Sequence, residues 1–379
     1  MTQALLNARV LTDDGFATGL AVLVDGARIA AVVSRDDPRA AAASVVDLEG
    51  AYLVPGFIDC QVNGGGGVLF NDEPTVEGIR AIGAAHRRYG TTGFLPTLIS
   101  DDRDVMRAAI DATDAAIDAG VPGVLGVHLE GPYLAPERKG THDATKFLRP
   151  DDEDVALVAS GRRGVTLVTL APERVGDAEL ASLIARGVIV AAGHTAADYA
   201  TARRALDAGV RGVTHLFNAM TPLTSREPGV VGAALDHADS WCGLIVDGHH
   251  VHWATLRIAI AAKPRGRMFL VTDAMPPVGS DRPWFELDGR RVELVDGALL
   301  NPDGVLAGSA LDMLAAVRNT VRHVGLPLAE AARMASTYPA QFLGLGASHG
   351  RIAAGYAADF VALDDELTIR ATWIGGQGN

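Results

Sequence analysis

Cysteine is scarce in this 379-residue sequence, which contains only Cys60 and Cys242. Two cysteines cannot form a disulfide scaffold, and they fit a protein that works in a reducing compartment. The N-terminal stretch MTQALLNARVL lacks the charged segment and apolar run of a signal peptide. The sequence also has no run of about 18 apolar residues that would span a membrane. We therefore expect a cytoplasmic protein.

Positive charge is also in short supply, since the formal net charge is −13. A protein that binds duplex nucleic acid would carry a basic face, so we do not expect a nucleic-acid partner. A small anionic substrate remains compatible, because a few arginine and histidine side chains can dominate the potential inside a cleft. Aromatic residues make up only 5%, whereas 43 glycines and 48% hydrophobic residues suit a large core with many tight β/α turns.

Both ends of the chain are rich in short β-strand patterns. Residues 4–52 combine apolar runs with turns, and residues 351–374 have the same character. Because the segment between them follows a different pattern, the two ends predict one small β-sandwich domain formed by both termini. We expect this domain to comprise residues 1–52 and 345–379, and a second domain to comprise residues 53–344.

The middle of the chain alternates between buried-strand and helix patterns. Eight apolar runs predict strands at 53–60, 91–98, 124–130, 165–170, 188–194, 212–216, 243–247 and 268–273. Amphipathic segments predict helices at 101–119, 177–187, 196–209 and 308–325. Eight buried parallel strands with intervening helices indicate an α/β fold of the (β/α)8 TIM-barrel type. An open doubly wound sheet is the alternative, but no GxGxxG motif opens a helix after the first strand.

Two segments are expected to border the mouth of the barrel. Residues 283–307 contain Asp288-Gly289 and Asp296-Gly297, which predict hairpin turns inserted after the eighth strand. The loop 131–150 begins with Gly131-Pro132 and is a candidate lid over the substrate.

Polar side chains follow most of the predicted strands, at the ends where barrel enzymes carry catalytic groups. One glutamate and two histidines come from separate strands, namely Glu130, His194 and His215. Imidazole nitrogen and carboxylate oxygen suit Zn²⁺, and three protein ligands leave a position open for water. Asp273, at the end of the last strand, is a candidate general base. A single strand-end histidine is commonly structural, but burying this many unpaired charges without a function would be costly.

Seven short motifs follow one another from the first predicted strand to the last. They are Pro55-Gly56-Phe57-Ile58-Asp59, His128-Leu129-Glu130-Gly131-Pro132, Lys139-Gly140-Thr141-His142, Ala192-Gly193-His194-Thr195, His215-Leu216-Phe217-Asn218-Ala219-Met220, Arg226-Glu227-Pro228-Gly229 and Thr272-Asp273-Ala274. In this order they resemble the N-acetylglucosamine-6-phosphate deacetylases of the amidohydrolase superfamily, and the resemblance covers essentially the whole chain. The first motif is shared widely among amidohydrolases, whereas the second and fifth are far more specific to the deacetylases.

The resemblance implies a role for each matching residue. The metal would be held by Glu130, His194 and His215. Asp273 would act as general base and then as general acid. His142 would hydrogen-bond the sugar or the amide carbonyl and help to polarise it. Substrate contacts are assigned to Gln61, Asn63, Asn218, Ala219, Arg226 and His250. The last two would bind the phosphate of a small phosphorylated amino sugar, and one of them can come from the neighbouring subunit, so we expect a homodimer or a higher homo-oligomer.

At one point the sequence departs from the wider superfamily. Many amidohydrolases carry His-x-His after the first strand, where this chain has Gln61 and Asn63. Neutral amides are poor Zn²⁺ ligands, so we expect one divalent metal, Zn²⁺, with Fe²⁺, Co²⁺ or Mn²⁺ as alternatives. The carboxylated lysine that many members carry on strand four is absent, because residues 165–173 contain no lysine. This argues against a dihydroorotase or a hydantoinase.

The predicted reaction is hydrolysis of N-acetyl-D-glucosamine 6-phosphate to glucosamine 6-phosphate and acetate, in amino-sugar catabolism or cell-wall recycling. The galactosamine epimer is an alternative substrate, because a small hydroxyl contact decides between the two sugars. A non-catalytic scaffold that binds a sugar phosphate is a rival hypothesis, but no ligand or base is missing here. A deaminase or cyclic amidase is a third hypothesis, and the phosphate pair Arg226 and His250 argues against it.

Overall fold

The centre of the computed structural model, which describes residues 2–378, is a sheet of eight parallel strands. In chain order these strands, β1–β8, are Phe57–Val62, Thr91–Ile99, Gly126–Glu130, Val165–Leu170, Ile189–Ala192, Gly212–Val213, Trp241–Leu244 and Met268–Leu270. The end of β1 meets the segment that follows β8 through a parallel bridge between Val62 and Ala274. At the same seam, the Asp273 N–H donates to the Gln61 carbonyl at 3.0 Å. The sheet is therefore closed, which confirms the predicted (β/α)8 barrel.

Helices follow the barrel strands and cover the outside of the barrel. The helix Arg103–Asp118 buries Met106, Ile110 and Ala116 at helical spacing, so one face packs against the core. It ends near Gly120, whose φ of +66° suits a helix C-terminus. The other α-helices of the barrel region are Val76–Arg87, Asp152–Val158, Asp177–Ala185, Tyr199–Asp207, Gly229–Asp236, Trp253–Ala262, Met313–Asn319, Leu328–Ala335 and Thr337–Phe342.

The helix predicted at 308–325 begins later than expected. Asp312 accepts a hydrogen bond from the Ala315 N–H, and this N-cap starts the helix at Met313. A π-helical segment, Thr320–Val324, continues it to Gly325. Of the four predicted residues before the cap, Gly308 lines the cavity at the barrel mouth and Ser309 pairs with Ala274, so they do not form a helical turn.

The strand predicted at 53–60 is two strands. Tyr52–Pro55 pairs with Phe360–Leu363 outside the barrel, and β1 begins only at Phe57. Gly56 lies between the two strands, where a Cβ atom would approach Thr92 Oγ1 to 2.0 Å. Glycine is needed here because the backbone of this connection runs directly against β2.

Two sheets from the chain ends pack face to face as the predicted β-sandwich. The first sheet contains, in spatial order, Arg28–Ser34, Leu20–Asp25, Gln3–Leu6 and Ser44–Asp47. The second sheet contains Gln377–Gly378, Ile369–Ile374, Phe360–Leu363, Tyr52–Pro55, Arg9–Thr12 and Gly15–Ala17. Val22 from one sheet and Leu53 and Phe360 from the other belong to one buried apolar cluster. A short helix, Pro38–Ala41, precedes the last strand of the first sheet.

The division of the chain into two domains stays a prediction, and the strand pairing refines it. Tyr52–Pro55 is paired on both sides within the terminal sheet. We therefore propose that the barrel domain begins after Pro55 and not at residue 53. The terminal sandwich and the barrel would otherwise keep the predicted bounds, with residue 345 starting the C-terminal part of the sandwich.

The mouth of the barrel carries the predicted hairpins. Trp284–Leu287, Arg290–Val295 and Ala298–Leu300 form an antiparallel sheet that turns at Asp288-Gly289 and Asp296-Gly297. Its buried residues Phe285, Leu287 and Leu299 share an apolar cluster with Ile99 and Met275 at the barrel mouth, which anchors the insertion. A second small hairpin pairs Gly64–Gly65 with Val68–Leu69.

The loop 131–150 has little regular structure. It contains two single turns of 3-10 helix, Pro136–Arg138 and Ala144–Lys146. A third such turn, Pro172–Arg174, follows β4. Within residues 2–378 the structure has no helix long and apolar enough to cross a membrane.

Candidate active site

The ends of β3, β5 and β6 bring three predicted metal ligands together. Glu130 Oε1 lies 3.0 Å from His215 Nε2 and 3.3 Å from His194 Nε2, and the two ring nitrogens are 3.1 Å apart. All three side chains are buried. One carboxylate oxygen and two imidazole nitrogens, all within 4.8 Å of one another, could hold a metal ion.

The hydrogen bonds of His194 fit this donor set. Its Nδ1 lies 2.9 Å from the Arg138 carbonyl, which can only accept, so Nδ1 carries the proton and Nε2 presents a lone pair. Electron-rich atoms of His194 and Glu130 thus converge on one point, where a cation relieves their repulsion. The residues present therefore fit a divalent metal.

The backbone around these residues is held in an unusual conformation. His194 and His215 have φ of 47° and 30°, and Asp273 has φ of 54°. Non-glycine residues rarely adopt the left-handed region, and strain of this kind is concentrated at functional sites. The barrel therefore holds these three side chains in positions that relaxed strands would not give them.

The charge of Glu130 controls the titration of the site. Burial disfavours the carboxylate, but its close polar contacts with the His194 and His215 rings keep the pKa of Glu130 well below its usual range. Burial likewise disfavours a charged His215, but its hydrogen bond to Glu130 and the carboxylate charge raise the pKa of His215. Glu130 is therefore an anion at neutral pH.

Asp273 lies beside this group and receives two amide hydrogen bonds. Asn63 Nδ2 donates to Asp273 Oδ1 at 2.6 Å, and Gln61 Nε2 donates to the same oxygen at 3.1 Å. Gln61 Nε2 also donates to Glu130 Oε1 at 2.9 Å, so one amide links the two carboxylates. Burial, with the charge of Glu130 adding to it, raises the pKa of Asp273 to about 6. A carboxyl that titrates near neutrality can both take up and release a proton.

His142 reaches the site from the loop 131–150. Its Nδ1 accepts a hydrogen bond from the Ser100 N–H at 3.3 Å and lies 2.9 Å from Ser100 Oγ. The proton of the neutral ring is therefore on Nε2, which lies 3.8 Å from Glu130 Oε2. Burial, followed by the charge of His194, lowers the pKa of His142 to about 3. His142 thus offers a neutral N–H donor beside the three converging side chains.

These groups line a cleft of about 320 Å³ at the barrel mouth. Asn218, Ala219 and His250 are in its wall, as expected, together with Thr141 from the loop 131–150 and Leu306 from the hairpin insertion. The Nδ1 atom of His250 lies 2.6 Å from Asp247 Oδ2, which orients the ring.

Three of the predicted substrate contacts, Gln61, Asn63 and Arg226, do not line this cleft. Gln61 and Asn63 are buried and donate to Asp273, so they reach the site through that carboxyl. Arg226 makes no such link. It is exposed on the loop after β6 and does not line the cavity. The single chain therefore gives no contact between Arg226 and the other site residues.

Some residues that build the site were not predicted from the sequence. Ser100 fixes the tautomer of His142, the Arg138 carbonyl fixes that of His194, and Asp247 orients His250. Asp247 carried a signal, because it is a polar residue at a strand end. Ser100 and Arg138 act largely through backbone atoms, for which side-chain patterns give no signal.

Comparison with known proteins gives the chain its family. The amidohydrolase family model matches residues 52–378. The chain is 45% identical over 330 residues to N-acetylgalactosamine-6-phosphate deacetylase of Shewanella sp. (strain ANA-3), which covers 87% of this chain and 84% of that protein. The crystal structure of N-acetylglucosamine-6-phosphate deacetylase from Pasteurella multocida matches all of both chains with a TM-score of 0.96 and 34% identity.

A second solved structure is similar over the same length. It is an N-acetyl-D-glucosamine-6-phosphate deacetylase variant from Mycobacterium smegmatis in complex with N-acetyl-D-glucosamine-6-phosphate, with a TM-score of 0.91 and 33% identity over 100% of this chain and 98% of that one. The fold, the sequence relatives and the family model all point to the same family. The chain belongs to the amidohydrolase family.

Proposed function

We propose that this chain is a deacetylase that hydrolyses N-acetyl-D-glucosamine 6-phosphate to glucosamine 6-phosphate and acetate. The observation that carries the proposal is the grouping of Glu130, His194 and His215 beside a buried carboxyl, Asp273, in one cleft. Relatives of this similarity act on N-acetylated amino-sugar phosphates. We further propose that the enzyme is a cytoplasmic homodimer.

Glu130, His194 and His215 would hold one divalent metal, and we propose Zn²⁺ because two imidazoles and a carboxylate suit it. When bound, the metal would supply a polarised water as nucleophile and withdraw electrons from the amide carbonyl. Gln61 and Asn63 direct their amide N–H groups at carboxylates. A second cation at this position would need oxygen or nitrogen lone pairs instead of N–H groups. This supports a single metal.

Asp273 would move the proton. Its carboxylate takes a proton from the attacking water as the new C–O bond forms, and then delivers it to the sugar nitrogen as the C–N bond breaks. Gln61 and Asn63 donate to Oδ1 only, so Oδ2 is free for this exchange within residues 2–378. The products are acetate and the free amine.

His142 would stabilise the negative charge that develops on the carbonyl oxygen. Because Ser100 holds the ring with Nε2–H facing the site, the donor is in place before the substrate arrives.

His142→Phe keeps a planar ring but removes this N–H. We expect kcat to fall by about 10²–10³-fold, the usual loss for one oxyanion donor. Acetate release measured alongside zinc content would test this, since the metal ligands are untouched. Unchanged kcat in fully metallated His142→Phe would show that the donor is elsewhere.

His250 and Arg226 would bind the phosphate. His250 lines the cleft, whereas Arg226 is exposed outside it, which supports supply of the arginine by the partner subunit. Guanidinium is suited to this role because its planar donor fork matches phosphate oxygens.

Arg226→Ala should therefore raise KM for the phosphorylated sugar by about 10–100-fold, the worth of a charged hydrogen bond, with a smaller change in kcat. Hybrid dimers make the test sharper. A mixture of Arg226→Ala and Asp273→Asn subunits contains sites with an intact base and an intact arginine from the partner. At substrate concentrations well below KM, activity should recover to about a quarter of the native value, since half of randomly paired dimers hold one complete site. No recovery would place Arg226 in its own subunit's site, whereas native KM in the Arg226→Ala enzyme itself would place the residue outside both sites.

The reaction itself is tested by amine release from N-acetylglucosamine 6-phosphate, with chelator and with zinc added back. We expect turnover that the chelator abolishes and zinc restores, and little turnover of the unphosphorylated sugar. Folded protein that is inactive with every divalent metal would contradict the proposal.

The galactosamine epimer is a second candidate substrate, because the Shewanella relative bears that name at 45% identity. The two sugars differ only in the orientation of one hydroxyl, so the ratio of kcat/KM values decides between them. A ratio above about 10 in favour of either sugar would assign the substrate, since a built hydrogen bond discriminates at least that strongly.

A further inference from the structure

A small void lies inside the barrel beneath the active site. Its lining comes from several barrel strands. The centre of a water molecule can occupy about 10 Å³ of this void, which is enough for one water. Most of the lining is apolar, including Leu167, Val213 and Phe269. The polar part is formed by Gln61, His128, Thr214 and His215.

Two residues of this lining each carry a buried polar atom without a hydrogen-bond partner within residues 2–378, namely Nδ1 of His215 and Oε1 of Gln61. The amide orientation of Gln61 is fixed, because its Nε2 donates to both Glu130 and Asp273 and a flip would set an oxygen against two carboxylates. His215 directs Nε2 at Glu130, so Nδ1 faces away from the carboxylate. Buried polar atoms without a partner are costly, and two of them around one void require an explanation.

We propose that one structural water molecule binds in this void between His215 Nδ1 and Gln61 Oε1. A water needs two to four polar partners in a buried site, and the hydroxyl of Thr214 is available as a third. That hydroxyl lies 2.7 Å from Thr169 Oγ1 and can make a further hydrogen bond. Water can donate or accept, so it satisfies Nδ1 in either tautomer of His215.

The water completes a chain of hydrogen bonds that reaches two carboxylates. It runs from His215 through the water to Gln61, and from Gln61 to Glu130 and Asp273. A partner on the outer nitrogen of a metal-binding histidine fixes its ring and increases its basicity. The effect on metal affinity rests on the proposed metal site, whereas the position of the water does not.

Crystal structures of the protein, one treated with chelator and one loaded with zinc, would locate the water. We expect a density peak within hydrogen-bond distance of His215 Nδ1 and Gln61 Oε1 in both crystals. An empty void in well-ordered, zinc-loaded crystals would overturn the inference. If the water is present but zinc does not bind, the proposed metal site fails and the inference stands.

Gly243→Ala tests the consequence for metal binding. A Cβ atom at Gly243 would lie 3.4 Å from Val271 Cγ1 and 3.5 Å from His215 N, so it fits without overlap and occupies space next to the void. We expect the methyl group to displace the water and to weaken zinc binding by about 10–100-fold, measured by competition with a chromophoric chelator.

Cys242→Ala is the matched control. Cys242 precedes Gly243 on β7, so its side chain points to the opposite face of the strand. It is buried as well, and its replacement should leave zinc affinity unchanged. Native zinc affinity in folded Gly243→Ala whose crystals lack the water would contradict the role of the water. If Gly243→Ala does not fold, the crystal structures of the native protein decide.

Discussion

Replacing Asp273 by asparagine is expected to lower kcat by about 10²–10⁴-fold, the range that one proton-transferring group contributes. Asp273 is the carboxyl of the cleft whose pKa burial raises, to about 6, so it can exchange protons near neutral pH. An amide cannot take the proton from water or return it to the amine. Both chemical steps should therefore slow, while substrate binding changes little.

The substitution should leave the fold and the metal site intact. The asparagine oxygen can accept the same two hydrogen bonds, from Asn63 and Gln61, that the carboxylate accepts now. Asp273 is not one of the three side chains that converge on the candidate metal position. Single-turnover acetate release, zinc content and thermal melting, measured on one preparation, separate the loss of proton transfer from a loss of metal.

Asp359→Asn provides a matched control in the terminal domain. Burial raises the pKa of Asp359 to about 6 as well, and it accepts a hydrogen bond from the Gly375 N–H at 2.7 Å. It lies outside the cleft, so the same substitution should leave kcat unchanged. An Asp273→Asn enzyme with native kcat and native zinc content would remove Asp273 from the mechanism.

The barrel could be predicted from the sequence because its strands are buried on both faces. Such strands appear as continuous apolar runs, and the polar residues that end them mark the mouth of the barrel. The grouping of Glu130, His194 and His215 follows from that rule alone, since parallel strands end at the same edge. The separate family resemblance was needed to give each side chain a chemical role.

Boundaries between sheets could not be predicted in the same way. Residues 53–60 form one apolar run, yet the run crosses from the terminal sheet into β1 at Gly56. Hydrophobicity is the same on both sides of this point, because both strands are buried. What separates them is the pairing of Tyr52–Pro55 with Phe360–Leu363, a contact between residues some 300 positions apart.

The residues that orient the catalytic side chains also could not be predicted from the sequence pattern. Ser100 acts on His142 through a backbone N–H, and Arg138 acts on His194 through a backbone carbonyl. Every residue except proline has an N–H, so its use at one position leaves no compositional trace. For Arg226 the situation is reversed. A sequence motif predicts its role, but the structure of a single chain does not place it in the cleft.

Glu130→Gln should weaken zinc binding by more than about 100-fold, which exceeds the usual effect of losing a residue that only supports a ligand. Glu130 Oε1 is the anionic member of the three converging side chains and lies within 3.3 Å of both histidine nitrogens. A glutamine has nearly the same shape, so packing is preserved while the negative charge is lost. Its amide can also donate to a histidine Nε2 and occupy the lone pair that a metal would use.

Equilibrium dialysis against zinc, followed by activity at saturating zinc, separates affinity from turnover. Glu130→Asp keeps the charge but shortens the side chain, and it should bind zinc with an affinity between those of the native protein and Glu130→Gln. Zinc affinity should therefore decrease in the order native protein, Glu130→Asp, Glu130→Gln. Both the negative charge and the length of the side chain matter, because a cation bound by two imidazoles also needs an anion within bonding distance. If Glu130→Gln bound zinc with native affinity, the two histidines would have to bind the metal with another partner. Asp273 would be the first residue to test, because Gln61 already links it to Glu130.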